Sequence, residues 1–184
     1  MNINLSSEGL QQASALLSAV KNGFPKAISL AVNRTLEGMK TDAVKETQEK
    51  YFAKPSDIRK TLTLKKTNQG NLVGMMISKG TRKTLADYQL TPKTPRKGSQ
   101  ILQGAVKRGG LKTLRDAFLV RRGGKYKPYV RNGSGKWNIQ PLISPAIPQI
   151  MKNDKTVASL EVKATERFEK RLNHEVARML NLIP

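Results

Sequence analysis

From Ala31 to Lys66 the chain reads AVNRTLEGMKTDAVKETQEKYFAKPSDIRKTLTLKK, and the change of period inside this stretch decides the fold class. Val32, Leu36, Met39 and Ala43 recur at three- and four-residue spacing and, with Ile28 upstream, predict one apolar helix face as far as about Tyr51. The opposite face carries mixed charge. Asp42–Glu46 and Glu46–Lys50 both stand at i,i+4, but only the second pair is attractive. Lys54-Pro55-Ser56-Asp57 stops the helix, with a further helical turn expected at Ile58 to Lys60. From Thr61 to Thr67 the pattern alternates, with Leu62 and Leu64 on one side, and the period is that of a strand.

Working outward, Ser6 or Ser7 caps a first helix expected to run to about Lys21, with Leu10, Ala13, Leu17 and Val20 as its stripe. Asn22-Gly23 is read as its end, the glycine taking the left-handed conformation. Phe24-Pro25 opens the next helix, and the two predict an antiparallel hairpin. Val73, Met75 and Ile77 alternate beyond Asn68-Gln69-Gly70-Asn71, predicting a β-hairpin with the preceding strand. Residues 90–110, punctuated by Pro92, Pro95, Gly98, Gly104, Gly109 and Gly110, read as a long exposed basic loop holding at most a short strand at Ile101 to Lys107.

A meander follows at Phe118 to Arg122, Lys125 to Arg131 and Lys136 to Gln140, with Tyr126 and Val130 on one face and Lys125, Lys127, Arg131 and Lys136 on the other. Pro128 cannot donate to a ladder, so its strand is expected at an edge or unpaired there. The last helix is expected from about Lys155 to Leu180, with Leu160, Ala164, Phe168, Leu172, Val176 and Met179 as its stripe. The class is α+β: an N-terminal helical hairpin, a central mostly antiparallel sheet with a long basic loop, and a long C-terminal helix. A single domain is expected over 1–184, made of the hairpin at 1–52, the basic β region at 53–140 and the C-terminal helical part at 141–184.

Charge is the strongest functional signal. The 184 residues hold 34 Lys and Arg against 13 Asp and Glu, a net +21. Residues 51–150 carry 21 of those cations and three of the acids, so +18 of the surplus lies there, while both ends are mixed in sign. Such a block attracts a polyanion or an acidic protein face. Lys107, Arg108, Arg121, Lys125, Lys127, Arg131 and Lys136 are the candidate contacts. Hydrophobic residues make up 38% and there are 14 glycines, an ordinary globular share that supports a packed core.

Catalytic chemistry has little to stand on. There is no cysteine, which excludes disulfides, thiolate metal sites and a thiol nucleophile. The one histidine, His174, sits off the stripe of the last helix beside Glu175. The central acids Asp57, Asp87 and Asp116 each stand beside a helix-start or loop signal, and Asp57 suits a first helical turn. Gly133-Ser134-Gly135-Lys136 misses the phosphate-loop spacing, because Val130 and Trp137 occupy the required glycine and Ser/Thr places, and it is read as a hairpin turn. No enzyme activity, cofactor or metal is expected. Without aromatic interleaving or a recognition-helix pattern, any nucleic acid would be held by phosphate contact. No apolar run approaches membrane-span length, and the absence of Lys and Arg from the first nine residues argues against a secretory signal, so a soluble cytoplasmic product is expected.

Three segments resemble the phage and prophage minor tail protein Z family in order. The first is Ala31 to Lys66, with Asn33-Arg34-Thr35, Tyr51, Pro55 and Ile58-Arg59-Lys60. The second is Gly109 to Val130, with Ala117-Phe118-Leu119-Val120. The third is Pro141 to Leu180, with Pro145, Pro148 and the helix from Glu166-Arg167-Phe168 to Glu175. The resemblance is weakest from Leu85 to Gly104. It implies a structural virion protein that completes the head-proximal end of the tail, made in the bacterial host cytoplasm. It further implies a homo-oligomeric ring supporting head–tail joining and DNA passage. The implied partners are the tail terminator, tube or tape-measure protein, with phage DNA threading the joint. The family contributes no catalytic residues. The rival reading is a nonspecific nucleic-acid-binding module that uses phosphate contacts.

Overall fold

A computed structural model describes residues 7–95, 97, 101–133, 135 and 138–181. The α+β class holds. Five α-helices are described: α1 (Ser7–Leu16), α2 (Gly23–Lys50), α3 (Pro55–Thr61), α4 (Ile147–Met151) and α5 (Asp154–Met179). The described strands are β1 (Leu62–Lys65), β2 (Met75–Ser78), β3 (Lys83–Thr84), β4 (Gln89–Thr91), β5 (Leu102–Ala105), β6 (Lys112–Leu114), β7 (Ala117–Arg122), β8 (Lys125–Arg131), β9 (Ile139–Pro141) and β10 (Ile143–Ser144). They pair antiparallel in four small sheets: β1-β2, β10-β3, β4-β5-β6 and β7-β8-β9. The chain divides into two compact units. The helical unit comprises Met1–Val44, Leu62–Ser78 and Met151–Pro184, and the basic unit comprises Lys45–Thr61 and Lys79–Ile150.

In the helical unit, the predicted stripes form the core. Ala13 and Leu17, Ala27, Ile28 and Ala31 of α2, and Phe168, Leu172 and Val176 of α5 are buried together. Each large aliphatic or aromatic side chain removed from water contributes about 1.5–3 kcal/mol. α1 therefore packs on α5 as well as on α2. It also ends earlier than its stripe suggests. After Leu16 the chain tightens into three-residue turns (Val20 N–H to Leu17 O, 3.0 Å), and Leu17, whose amide still donates to Ala13 O at 3.1 Å, stays buried just past the helix end. Asn22, not Gly23, takes the left-handed conformation (φ 55°). Gly23 already belongs to α2, where a Cβ would meet Val20 Cβ at 2.8 Å, so packing is what requires glycine there.

The predicted ribbon forms in the register Leu62↔Ser78 to Lys65↔Met75. Leu64 and Met76 pack with Leu36, Met39 and Ala164. A polar clasp locks the segment after β1 onto α2. The Asn33 carboxamide donates to Thr67 O (3.1 Å) and accepts from Thr67 N–H (2.8 Å), while the Thr67 hydroxyl donates to Ser29 O (3.1 Å). The side-chain amide thus mimics a neighbouring strand. Each net bond contributes about 0.5–1.5 kcal/mol, and removing the amide would strand partly buried peptide groups.

α2 and α5 approach closely at Gly38, where any Cβ would collide with the Arg167 guanidinium. Arg167 Nη1 lies 2.6 Å from Asp42 Oδ2; the angle does not suit a linear hydrogen bond, so the contact is chiefly ionic. Asp42 thus finds its partner across helices, and Glu46, buried, has Lys50 Nζ at 4.0 Å.

In the basic unit, α3 begins with the Asp57 and Ile58 amides donating to Lys54 O, both at 3.1 Å, and Ile58 is wholly buried. The Asp57 carboxylate accepts from Lys83 Nζ at 2.7 Å, joining α3 to β3. That hydrogen bond holds its pKa below the ordinary value of 3.8. Between β3 and β4 a 3-10 turn (Leu85–Asp87) is closed by a capping box in which Asp87 Oδ2 accepts from the Thr84 amide (3.1 Å) and hydroxyl (2.9 Å). Tyr88 donates its hydroxyl to Pro145 O at 2.7 Å, and burial, with Asp87 and Asp57 nearby, pushes its pKa up to about 12.

Three expectations are corrected here. Residues 90–110 are not simply an exposed loop. β5 falls within the expected short strand but is the middle of a three-stranded sheet, and Leu90 and Leu102 are among the most buried side chains. Pro128 lies in the middle strand of its sheet, not at an edge, but it is unpaired on one side, the alternative expected for it, because the β8–β9 ladder begins only at Tyr129. Its carbonyl accepts from Leu142 N–H at 2.9 Å just past the end of β9, so its missing donor faces that side and removes no bond to β7. The third strand begins at Ile139, three residues later than expected, and Lys136 and Trp137 lie outside the described residues.

Gly38→Ala should reverse the usual helix-interior effect. The added methyl ordinarily stabilises a helix by about 0.5–1 kcal/mol, but here it drives Arg167 off Asp42. Urea unfolding should show a loss of stability in the natural background and a gain of about 0.5–1 kcal/mol in an Arg167→Ala background.

Asp57 carries a second prediction. A depressed carboxylate pKa stabilises above the unfolded value and loses that contribution as pH falls through the lower folded value. Thermal melting of the natural chain and Asp57→Asn should differ most near neutral pH. The gap should close as pH falls below 3.8.

Candidate polyanion-facing surface

The charge surplus segregates with the two units. The basic unit holds 21 Lys and Arg against five acids, net +16, and the helical unit 13 against eight, net +5. Three of the five acids in the basic unit are engaged within it: Glu46 with Lys50, Asp57 with Lys83, and Asp87 in its capping box. Its surface therefore carries an uncompensated positive field.

The β7–β8 hairpin orders part of that surface. Gly123 and Gly124 both have positive φ (60° and 74°), the requirement of the tight two-residue turn that suits the strand twist. The register Arg122↔Lys125, Val120↔Lys127 and Phe118↔Tyr129 then gathers side chains by face. Arg122, Lys125, Lys127 and Arg131 share one face. Arg131 lies over the Phe118 ring at 5.3 Å, which fixes the cation while leaving its charge exposed.

The seven candidate residues do not form one patch. Lys125, Lys127 and Arg131 are together, but Arg121 pairs with Tyr126 on the opposite face. Lys107 and Arg108 pair with the end of α2 and the residues after it: Lys107 bridges Tyr51, and the Arg108 amide donates to Lys50 O at 2.8 Å. Arg108 Nε also donates to Gln48 O (2.6 Å) and its guanidinium lies 4.9 Å over Phe52, so this side chain is a structural staple. Lys136 lies outside the described residues.

Sequence reasoning missed Arg122, although a Gly-Gly turn implies the Arg122↔Lys125 pairing. It also missed Lys54 and Lys93. These two join Lys125 and Lys127 around a groove of about 220 Å³ whose wall includes Thr84, Asp87 and Tyr126. No sequence spacing announces a groove built from three distant segments.

His174 is exposed on α5. Among the described residues, no group of three or more His, Cys, Asp or Glu side chains could hold a metal ion. Gly133, with φ of 77°, lies in the turn between β8 and β9, closed by Asn132 N–H to Asn138 O at 2.8 Å. No described helix is long and apolar enough to cross a membrane.

No curated protein and no solved structure matches the chain. The family model of prophage minor tail protein Z (GPZ) matches residues 8–183. That span takes in α1, the Asn33 clasp, the basic hairpin and α5. The chain therefore belongs to the prophage minor tail protein Z family, and it is a structural protein of the phage tail in the virion.

Proposed function

We propose that this tail protein completes the head-proximal end of the tail and supports head–tail joining and DNA passage. In this reading it works without catalysis, as a homo-oligomeric ring beside the tail terminator, tube or tape-measure protein. Family membership supplies the tail context. The observation that carries the finer reading is the concentration of +16 on the basic unit, with Glu46, Asp57 and Asp87 already committed to internal partners. Such a surface needs an anionic counterpart to be neutralised, and at this joint two are at hand. One is the DNA that threads it; the other is an acidic face of a neighbouring tail protein.

The physics of each differs. Phosphate contacts hold DNA without reading sequence and weaken steeply with salt. Charge complementarity with a protein neighbour orients docking and speeds association. Gripping DNA tightly would oppose its ejection, so few contacts per subunit suit a passage role. The competing reading, a nonspecific nucleic-acid-binding module that uses phosphate contacts, rests on the same charge.

Deleting the gene from its phage or inducible prophage and imaging the lysate by negative-stain electron microscopy separates these readings. Filled heads beside unattached full-length tails, or joined particles that do not infect, are expected. Normal yields of infectious particles would overturn the proposed role.

A further inference from the structure

The groove beside β8 is built where two strands part. β9 pairs with β8 only over Tyr129 to Arg131, and the following strand, β10, leaves to pair with β3. The Leu142 amide donates to Pro128 O and the Asn132 amide to Asn138 O, so the peptide groups of residues 128 and 132 face the β9 side. Alternation directs the Tyr126 peptide to that same side, beyond the end of β9. Lys54, Lys93, Lys125 and Lys127 are drawn around the resulting groove of about 220 Å³ from before α3, after β4 and along β8. The one carboxylate in its wall, Asp87, has an oxygen held by two Thr84 donors.

From this geometry we infer that the groove receives a single phosphate group of a nucleic-acid backbone. This deepens the DNA-contact arm of the proposed function and rests on it. Among the described residues, the cations lining the groove are all lysines. An ammonium is a compact point charge with three donors, suited to converge on the several oxygens of a phosphate, whereas planar carboxylates are best matched by the arginine fork. Among the described residues no arginine lines the groove, although the same hairpin carries three on its strands. The space admits one phosphate but no base pair, so the contact reads backbone and not sequence. The Tyr126 backbone N–H is a further donor on that side, and Arg122 and Arg131, on the face shared with Lys125 and Lys127, extend the positive track along the strand.

The test is binding of the full purified chain to a short labelled DNA duplex, followed by fluorescence anisotropy across a series of KCl concentrations. Lys93 and Lys125 are both exposed, so Lys93→Ala/Lys125→Ala removes groove charge without opening the core. Lys152→Ala/Lys155→Ala, also exposed but in the helical unit, removes the same charge elsewhere. The groove pair should weaken binding several-fold and reduce the salt slope by about 0.9 for each phosphate that is no longer neutralised. The distant pair should keep the natural slope.

Equal effects of the two pairs, or no effect of the groove pair, would overturn the inference. So would groove variants that lose binding to polyglutamate yet keep DNA binding, because the groove would then serve an acidic protein. Circular dichroism checks folding, and Lys54→Gln, at another exposed position, replaces the double variant if that fails to fold. The assay does not depend on particle assembly. A negative result leaves the tail role standing, whereas infectious particles from the gene deletion would remove that role and leave the groove result intact.

Discussion

A net +16 on the basic unit is the constraint around which the rest of this protein is arranged. Like charges on a compact body repel, and salt screens them only beyond a Debye length of about 8 Å under physiological conditions. The fold answers with an apolar centre, including Ile58, Leu90, Leu102 and Ile147, and with short internal ties. Asp57 holds Lys83, Asp87 closes its turn, and Phe52 and Phe118 each lie beneath a guanidinium. These ties stabilise the unit but do not cancel its field. Exposed cations such as Lys93 and Lys125 can meet something outside the chain.

The helical unit meets a different demand, the fitting of a two-stranded ribbon and a long helix onto α2. The segments through which the chain resembles its family have physical work there. Asn33 holds the peptide of Thr67 as a neighbouring strand would, and Thr35 turns its hydroxyl back to Ala31 O at 2.8 Å. Arg167 crosses Gly38 to reach Asp42. These residues hold the architecture of the helical unit.

Much of the helical architecture is legible in the sequence because an amphipathic helix declares its period over many turns. The stripe of α5 lies where its spacing places it, and α2 runs from the Phe24-Pro25 signal to Lys50. α1 is shorter than its pattern implies because Leu17 and Val20 keep the helical spacing while the backbone tightens into shorter turns. Leu90 and Leu102 are hidden by the prolines, glycines and cations around them, yet cross-strand pairing between β4 and β5 buries them. The placement of Pro128 depends on where β9 ends, which is a tertiary fact. For the candidate surface, the face shared by Lys125, Lys127 and Arg131 follows from two-residue alternation. The displacement of Arg121 to the opposite face follows from the same alternation, once the two-residue turn fixes the register. The groove joining Lys54 and Lys93 to β8 has no sequence signal, since only the folded chain brings those segments together.

The most direct test of the central claim is location. An epitope tag on the protein in purified infectious particles, labelled with nanogold antibody, should place gold at the junction of head and tail. Gold at the distal tip, or absence of the protein from particles that infect normally, would contradict the account.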